Sequence, residues 1–371
     1  MPVPGASARN GPKDAPQGPP TLAGLQLPPG FSIEVYSAEV PNARSLALGP
    51  KGVVFVSNRT GDKVYALLDK DADHRVDAVR VVAQGLDTPN GIAYREGKLY
   101  IAEVGRLLRI DGIDRKLGEK SSLPATPQLV TDQLPKEGWH GWRYIRFGPD
   151  GWLYIPIGAP CNLCEREDQR FASIARMKAD GTGFEVFASG VRNSVGYDWH
   201  PQTKQLWFTD NGRDELGDDQ PGDELNRADK AGLHFGFPYC HQGNLLDPSF
   251  GKGKSCADYV PPARVLGAHV AALGMRFYTG KMFPEKYRNA IFVAEHGSWN
   301  RARKDGYRVM LAQLEGSRVS SYEPFLQGWL DGETDQVSGR PVDVEVLDDG
   351  SLLVSDDYRG AVYRVTYRSA S

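Results

Sequence analysis

The chain has 371 residues and a net charge of −3, from 44 Lys and Arg against 47 Asp and Glu, so it carries no cationic surplus for a nucleic-acid surface. No stretch approaches the ~18 apolar residues of a membrane-spanning helix. Gly 42 and Pro 26 make up about 18% of the residues, against an average near 12%, and this excess favours short strands joined by tight turns over long helices.

Residues 1–26, rich in Pro, Gly, Ala and Ser, are expected to form a disordered leader. From 27 to 371 a single domain is expected, because one pattern recurs six times: an apolar strand, a Gly/Asp/Pro turn, and a second apolar strand ending in polar residues. The copies fall at 47–58, 92–103, 145–156, 197–210, 275–295 and 344–356. Landmarks at Val54, Leu99, Leu153, Leu206, Ile291 and Leu352 lie 45, 54, 53, 85 and 61 residues apart. Those intervals suit four-stranded blades of roughly 40–50 residues with inserted loops. The pattern predicts an all-β, six-bladed β-propeller with antiparallel blades. A ring avoids open sheet edges only if its ends pair, so the strand at 31–36 is expected to complete the blade that carries 360–367. If the second strand of each unit lies nearest the axis, the polar residues after it gather at one end of the channel: Asn58, Glu103, Asp210, Asn211, Glu295, His296, Asp356 and Asp357.

The four cysteines form two local pairs, Cys161 with Cys164 and Cys240 with Cys256. Close spacing and an even count suit disulfides in an oxidising compartment; free thiols or a metal site are the alternatives. The sequence has no G-x-S-x-G elbow, no G-x-G-x-x-G and no P-loop, so serine-esterase and nucleotide chemistry are unsupported.

Several segments carry residues suited to chemistry. His140, in Gly138-Trp139-His140-Gly141-Trp142, has the side chain of a general base near neutral pH, although such a histidine is more often a structural hydrogen-bonding residue. Arg192 and Asn193 place a cation beside an amide at a turn, able to stabilise an oxyanion or bind a carbonyl; a loop salt bridge is the plainer reading. The stretch 210–226 holds seven carboxylates and suits a hard cation such as Ca²⁺, or a solvated acidic loop. His296, Trp299 and Arg301, with Arg340 further on, can hold a flat, multiply anionic ligand by stacking and bidentate contacts.

In this order, His140 with Phe147-Gly148-Pro149-Asp150-Gly151, Gly190-Val191-Arg192-Asn193, Gly222-Asp223-Glu224-Leu225-Asn226 and Gly339-Arg340 resemble the soluble quinoprotein glucose/sorbosone dehydrogenase family. These are six-bladed propellers that use pyrroloquinoline quinone (PQQ) with Ca²⁺. Ala159-Pro160-Cys161-Asn162-Leu163-Cys164 and Glu295-His296-Gly297-Ser298-Trp299-Asn300-Arg301 bring the L-sorbosone dehydrogenase-like branch closest. The resemblance implies His140 as general base and Arg192 with Asn193 at the reactive quinone carbonyl. It implies Gly212 and Arg213 as backbone ligands of Ca²⁺, near Asp223 and Glu224, and Arg340 on a PQQ carboxylate. Asn90 stands where an amide contacts the cofactor. A second family arginine is Val342 here, and the family's cofactor lysine is replaced by the loop from His296 to Arg301, where His296, Arg301 or Arg303 are expected to compensate. The implied activity is oxidation of an aldose or sorbosone-type sugar, with electrons passed to an acceptor such as a cytochrome or quinone, in the periplasm or outside the cell. The alternatives are a Ca²⁺-dependent gluconolactonase-type lactonase using Glu103, Asn211 and Asp356, and a non-catalytic carbohydrate- or protein-binding propeller.

Overall fold

The structure is a computed structural model that describes residues 20–119 and 122–369. Among them one short α-helix occurs, Ile113–Gly118, with 3-10 turns at Cys256–Asp258 and Glu285–Tyr287; nearly everything else regular is strand. Six sheets follow one another along the chain as the blades of a propeller. Blade 1 runs Ala43–Leu48, Val53–Asn58, Val64–Leu68, Ala78–Ala83, and the next four repeat the same antiparallel meander. Blade 6 has Pro341–Val346, Leu352–Asp356 and Ala361–Tyr367, and takes its fourth strand from the start of the chain: Phe31–Ser37 pairs antiparallel with Ala361–Tyr367. Phe31 anchors that closure, with ring centroids of Phe283, Tyr287, Phe325 and Tyr367 between 4.8 and 5.1 Å away.

The strands are runs of β-branched and aromatic residues such as Val53-Val54-Phe55-Val56. Tight turns set their register. Between Arg95 and Lys98 the two-residue loop Glu96-Gly97 has φ of 50° and 74°, the positive pair of a type I′ hairpin. Blade 3 departs from the four-stranded plan, because Leu233–His234 adds a parallel fifth strand. The long interval in the repeat is an insertion in blade 4, between Gly222–Ala228 and Arg264–Ala268, stapled by the Cys240–Cys256 disulfide. Cys161 and Cys164 are also joined.

Two expectations need correction. Residues 1–19 of the expected leader lie outside the described residues, but 20–26 are ordered: Leu22 and Leu25 pack on the core of blades 5 and 6, and Gln26 pairs with Gln327. These apolar side chains have a hydrophobic face to cover, which the Pro/Gly-rich average conceals. It is also the first strand of each blade, not the second, that lies at the axis. There the backbones nearly touch. A Cβ on Gly196 would stand 2.2 Å from the Leu273 carbonyl oxygen, and one on Gly274 would stand 2.6 Å from the Asp343 Cα.

Six apolar clusters fill the six interfaces between neighbouring blades. Towards one end of the axis the inner strands are joined by charge. Glu345 Oε2 accepts from Arg146 at 2.8 Å and from Arg276 at 3.0 Å, Arg276 also donates to the Tyr144 hydroxyl, and Asp343 accepts from the Leu46 amide at 3.0 Å. Burial alone would raise the Glu345 carboxyl; Arg146 and Arg276 outweigh it and hold the group below its usual range. Replacing Glu345 by Ala takes the nearest carboxylate from the buried Arg276 and the part-exposed Arg146, leaving them the more distant Asp343 and Asp198 at 3.9 and 3.7 Å, and a loss of about 3 kcal/mol is expected in denaturant unfolding. The native contribution of Glu345 is full above its unfolded pKa, near 4.3, and is lost only as pH falls through the lower folded value. Equal stability of Glu345→Ala and wild type at pH 7 would refute this role.

Candidate functional site

At the other end of the axis, four blades enter their inner strands through one device. A side chain at or just past the end of the second strand turns back and holds the incoming segment. Asn58 Nδ2 donates to the carbonyls of Pro41 and Asn42, and Glu103 accepts from the Asp87 amide at 2.8 Å. Asp210 accepts from the amides of Arg192 and Asn193 at 2.8 and 2.6 Å, and Asp356 accepts from the Arg340 amide at 3.0 Å. These polar residues shape the rim of the ring. They do not converge as a ligand set, and Asn211 alone of the trio Glu103, Asn211 and Asp356 lines the central cavity.

That cavity measures about 400 Å³. Four arginines line it, Arg44, Arg59, Arg192 and Arg340, against the two carboxylates Asp214 and Asp223. Arg44 donates from Nε to Asn90 Oδ1 at 3.1 Å and from Nη1 to Asp357 at 2.9 Å. The other oxygen of Asp357 receives His296 Nε2 at 2.9 Å. Burial, then the charge of Arg340, push His296 down to about 3, so its imidazole is neutral. Arg340 is held by the carbonyls of His296 and Gly297 at 3.1 and 2.9 Å. Arg59 differs from the rest. Its guanidinium stacks 3.5 Å from the Trp142 ring centroid, its Nε is buried without a hydrogen-bond partner, and no carboxylate pairs with it among the described residues. Burial, then repulsion by Arg44, pull it down to about 9.

His140 stands on the blade 3 side, with φ of 50°. Its Nδ1 lies 2.7 Å from the Ala159 carbonyl, which can only accept, so Nδ1 carries the proton and Nε2 offers a lone pair. Trp139 Nε1 donates to that Nε2 at 3.1 Å from an indole that is 42% exposed. Burial first, and Arg192 second, hold His140 well below its ordinary pKa.

Arg192 is saturated. Its five N–H groups reach the carbonyl and side chain of Asn162, the carbonyls of Asn211 and Gly212, and Asp214, at 2.8–3.2 Å. Asn162 sits inside the Cys161–Cys164 loop, so that disulfide fixes the floor under the guanidinium. Beside it Gly212, Asp214 and Asp223 make an oxygen-rich wall. Asp223 Oδ1 accepts from the Gly212 amide at 2.9 Å, and burial raises its carboxyl to about 7.

The cavity thus brings together His140, Arg192, Asn193, Gly212, Asp223, His296 and Arg340. Five residues singled out from the sequence fall outside it. Asn90 is fully buried behind Arg44, which it orients while bonding the Arg143 carbonyl. Arg301 is drawn to the carbonyl of Asp218 and to Asp219, and Arg303 likewise reaches the Gly332 carbonyl. Glu224 alternates to the opposite face of the strand from Asp223 and faces a separate void of about 10 Å³. Arg213 lines that same void, and its side chain pairs with Asp247 at 2.7 Å. Val342, in place of a second arginine, packs with Val195 and Leu273 as an apolar floor. Arg44, Arg59, Trp142, Asp214 and His269 line the cavity without having been singled out. Arg59 was within reach, since it directly follows Asn58.

Comparison with known proteins places the ring among relatives. A family model described as TrAA12-like matches residues 169–368. An uncharacterized protein of Borreliella burgdorferi is 32% identical over 353 residues, 92% of this chain and 91% of its own. Three solved structures share the fold at lower identity. The calcium structure of the Trichoderma reesei Carbohydrate-Active Enzymes Family AA12 protein is 19% identical, with TM-score 0.79 over 93% of this chain and 97% of that one. The holo form of the pyranose dehydrogenase PQQ domain of Coprinopsis cinerea is 18% identical, with TM-score 0.76 over 95% and 98%. The PQQ-bound aldose sugar dehydrogenase of Streptomyces coelicolor is 20% identical, with TM-score 0.64 over 92% and 100%. Since the matched stretch is more than half of the chain, the protein belongs to the TrAA12-like family.

Proposed function

We propose that this chain is a sugar dehydrogenase working with PQQ and Ca²⁺, which oxidises an aldose or sorbosone-type aldehyde or hemiacetal and passes electrons to an external acceptor such as a cytochrome or quinone. The carrying observation is Arg59: a guanidinium with a buried unpartnered Nε, flat on Trp142, in a cavity where Arg44 and Arg340 add two further cations. A planar tricarboxylate suits this donor set, because an anion beside Arg59 supplies its missing acceptor while a flat ring stacks in the same slot. Two of the structural relatives are described as PQQ-bound or as a PQQ domain.

Arg59, Arg44 and Arg340 would hold the carboxylates, while Gly212, Asp214 and Asp223 would supply oxygens to Ca²⁺. PQQ, when bound, supplies an ortho-quinone able to take up a hydride, and Ca²⁺ polarises it. The chain's own part is acid–base chemistry and positioning. His140 takes the proton from a sugar hydroxyl at Nε2, after Trp139 releases that lone pair. The Ala159 carbonyl fixes the tautomer. Arg192 acts through its charge, since all its donors are engaged; it disfavours imidazolium before turnover and keeps the Gly212 carbonyl in place. The two disulfides fit the periplasm or the cell exterior.

Adding PQQ and Ca²⁺ to the purified chain should perturb the PQQ spectrum and support dye reduction with some member of an aldose panel. No spectral change and no PQQ-dependent reduction would refute the proposal, and lactone hydrolysis with Ca²⁺ alone would establish the lactonase instead. His140→Ala should lower kcat by roughly 10²–10⁴-fold and leave PQQ affinity near wild type. Arg59→Ala should weaken PQQ roughly 10- to 100-fold, the worth of one charged hydrogen bond; the reverse pattern would overturn both roles. The acid limb of kcat/KM should lie below pH 6.5, because the active form is neutral His140 and burial with Arg192 opposes its protonation. A midpoint at or above 6.5 would exclude His140 as that base.

A further inference from the structure

The loop Asp69-Lys70-Asp71-Ala72-Asp73-His74-Arg75-Val76-Asp77 joins the third and fourth strands of blade 1. Its carboxylates fall at positions 1, 3, 5 and 9, the alternating spacing with which calcium loops present side-chain oxygens. Position 6, where such loops turn sharply on glycine, is His74 at φ 62°. The reason for a histidine there is visible. Its ring lies 3.7 Å from Asp348 and 3.9 Å from Asp349, on the turn of blade 6.

Each carboxylate of the loop but one spends an oxygen on the loop's own backbone. Asp69 Oδ2 accepts from the His74 amide at 2.9 Å, Asp73 Oδ1 from Arg75 at 2.9 Å, and Asp77 Oδ2 from Lys70 at 2.7 Å. One oxygen of Asp69, Asp71 and Asp77 each lies within 4.8 Å of the others. The telling atom is Asp69 Oδ1. It is buried and has no hydrogen-bond partner, in a residue only 6% exposed. Among the described residues no Lys or Arg forms an ion pair with any of these four aspartates. A buried carboxylate oxygen without a donor costs several kcal/mol unless a cation meets it.

We infer that this loop is a calcium site, with Asp69, Asp71, Asp73 and Asp77 as carboxylate ligands and the Arg75 carbonyl, at position 7, as a backbone ligand. It lies on the face opposite the cavity. The third strand pairs Tyr65 with Val56 and Leu68 with Val53, so its Leu68 end is the far end from Arg59, about 20 Å along the strand. The site is therefore separate from the wall of Gly212, Asp214 and Asp223 and independent of the redox proposal. It sits on the seam between blades 1 and 6, where the ring is closed, and a bound ion ties that seam. Irregular oxygen ligands at this spacing favour Ca²⁺ over the strictly octahedral Mg²⁺. Position 12 is Arg80, not the bidentate Glu of an EF-hand, so the Kd should be weaker than about 10⁻⁶ M.

The test uses the full chain after chelator treatment. With about 5 mM Ca²⁺, bound metal measured after dialysis should be one equivalent higher in wild type than in Asp71→Asn/Asp77→Asn, whose two side chains are exposed. The thermal midpoint of wild type should rise by a few degrees with Ca²⁺ and by less with Mg²⁺, and this increment should vanish in the double variant. Asp71→Asn alone should weaken Ca²⁺ at least about tenfold, which keeps the test alive if the double variant folds poorly. Asp223→Asn, in the cavity wall, should retain the loop's equivalent and its midpoint shift. Equal Ca²⁺ content and equal midpoint shifts in wild type and the loop variants would overturn the site.

Discussion

Six sheets can share one axis only where their first strands meet backbone to backbone, and the remaining architecture answers that crowding. Glycine at positions such as 196 and 274 admits the neighbouring strand, but polar groups brought to the axis lie beyond the reach of water. At one end the solution is ionic, with Glu345 shared by Arg146 and Arg276 and with Asp343 accepting from the next blade. At the other end the carboxylates of Asp210 and Asp356 bind the amides of the incoming segments. The same contacts that finish the blades therefore aim Arg192, Asn193 and Arg340 at the cavity. Scaffold and site are one set of hydrogen bonds, in which a side chain of one strand dictates the backbone that presents another side chain.

The electrostatic state of the cavity follows from which cations are compensated. Arg192 has a full set of acceptors, and Arg44 has Asp357 and Asn90. Burial would raise the Asp357 carboxyl, but His296, Arg44 and Arg340 hold it far below its ordinary value, so this charge persists at any relevant pH. Among the described residues Arg59 has the face of Trp142, a contact worth roughly 0.5–2 kcal/mol, and no directly paired carboxylate. A cation left in that condition favours an anionic occupant.

Sequence reasoning succeeded where the signal was repetitive. Six copies of strand, turn and strand were enough for the blade number and for the closure by Phe31–Ser37, because each copy faces the same burial problem. The motif residues Arg192, Asn193 and Arg340 reached the cavity because they enter inner strands, which any blade must aim inward. The misplaced residues share a cause. Arg301 and Arg303 are long side chains in a loop whose acidic neighbours, Asp218 and Asp219, are close only in the folded chain. Glu224 was paired with Asp223 by adjacency, yet adjacent residues of a strand face opposite ways. Assigning the axis to the second strand also turned attention from Arg44, which sits on an inner strand, and from the fact that blade 1 rather than blade 5 supplies the extra cations.

The near-neutral net charge conceals a polar molecule. Arg44, Arg59, Arg192 and Arg340 line the cavity at one end of the axis, where Arg44 and Arg192 pair with Asp357 and Asp214, while Asp69, Asp71, Asp73, Asp77, Asp348 and Asp349 gather on the opposite face, where His74 lies beside Asp348 and Asp349 and Arg364 pairs with Asp349. The local imbalances, Arg59 without a paired carboxylate at one end and the loop aspartates without a paired Lys or Arg at the other, among the described residues, are not expressed by a formal sum of −3. Each imbalance favours its own counter-ion at short range, an anion beside Arg59 and a cation beside the loop aspartates. The two sites share no residue: Arg44 sits on the inner strand of blade 1, and the aspartate loop joins the two outer strands of that blade.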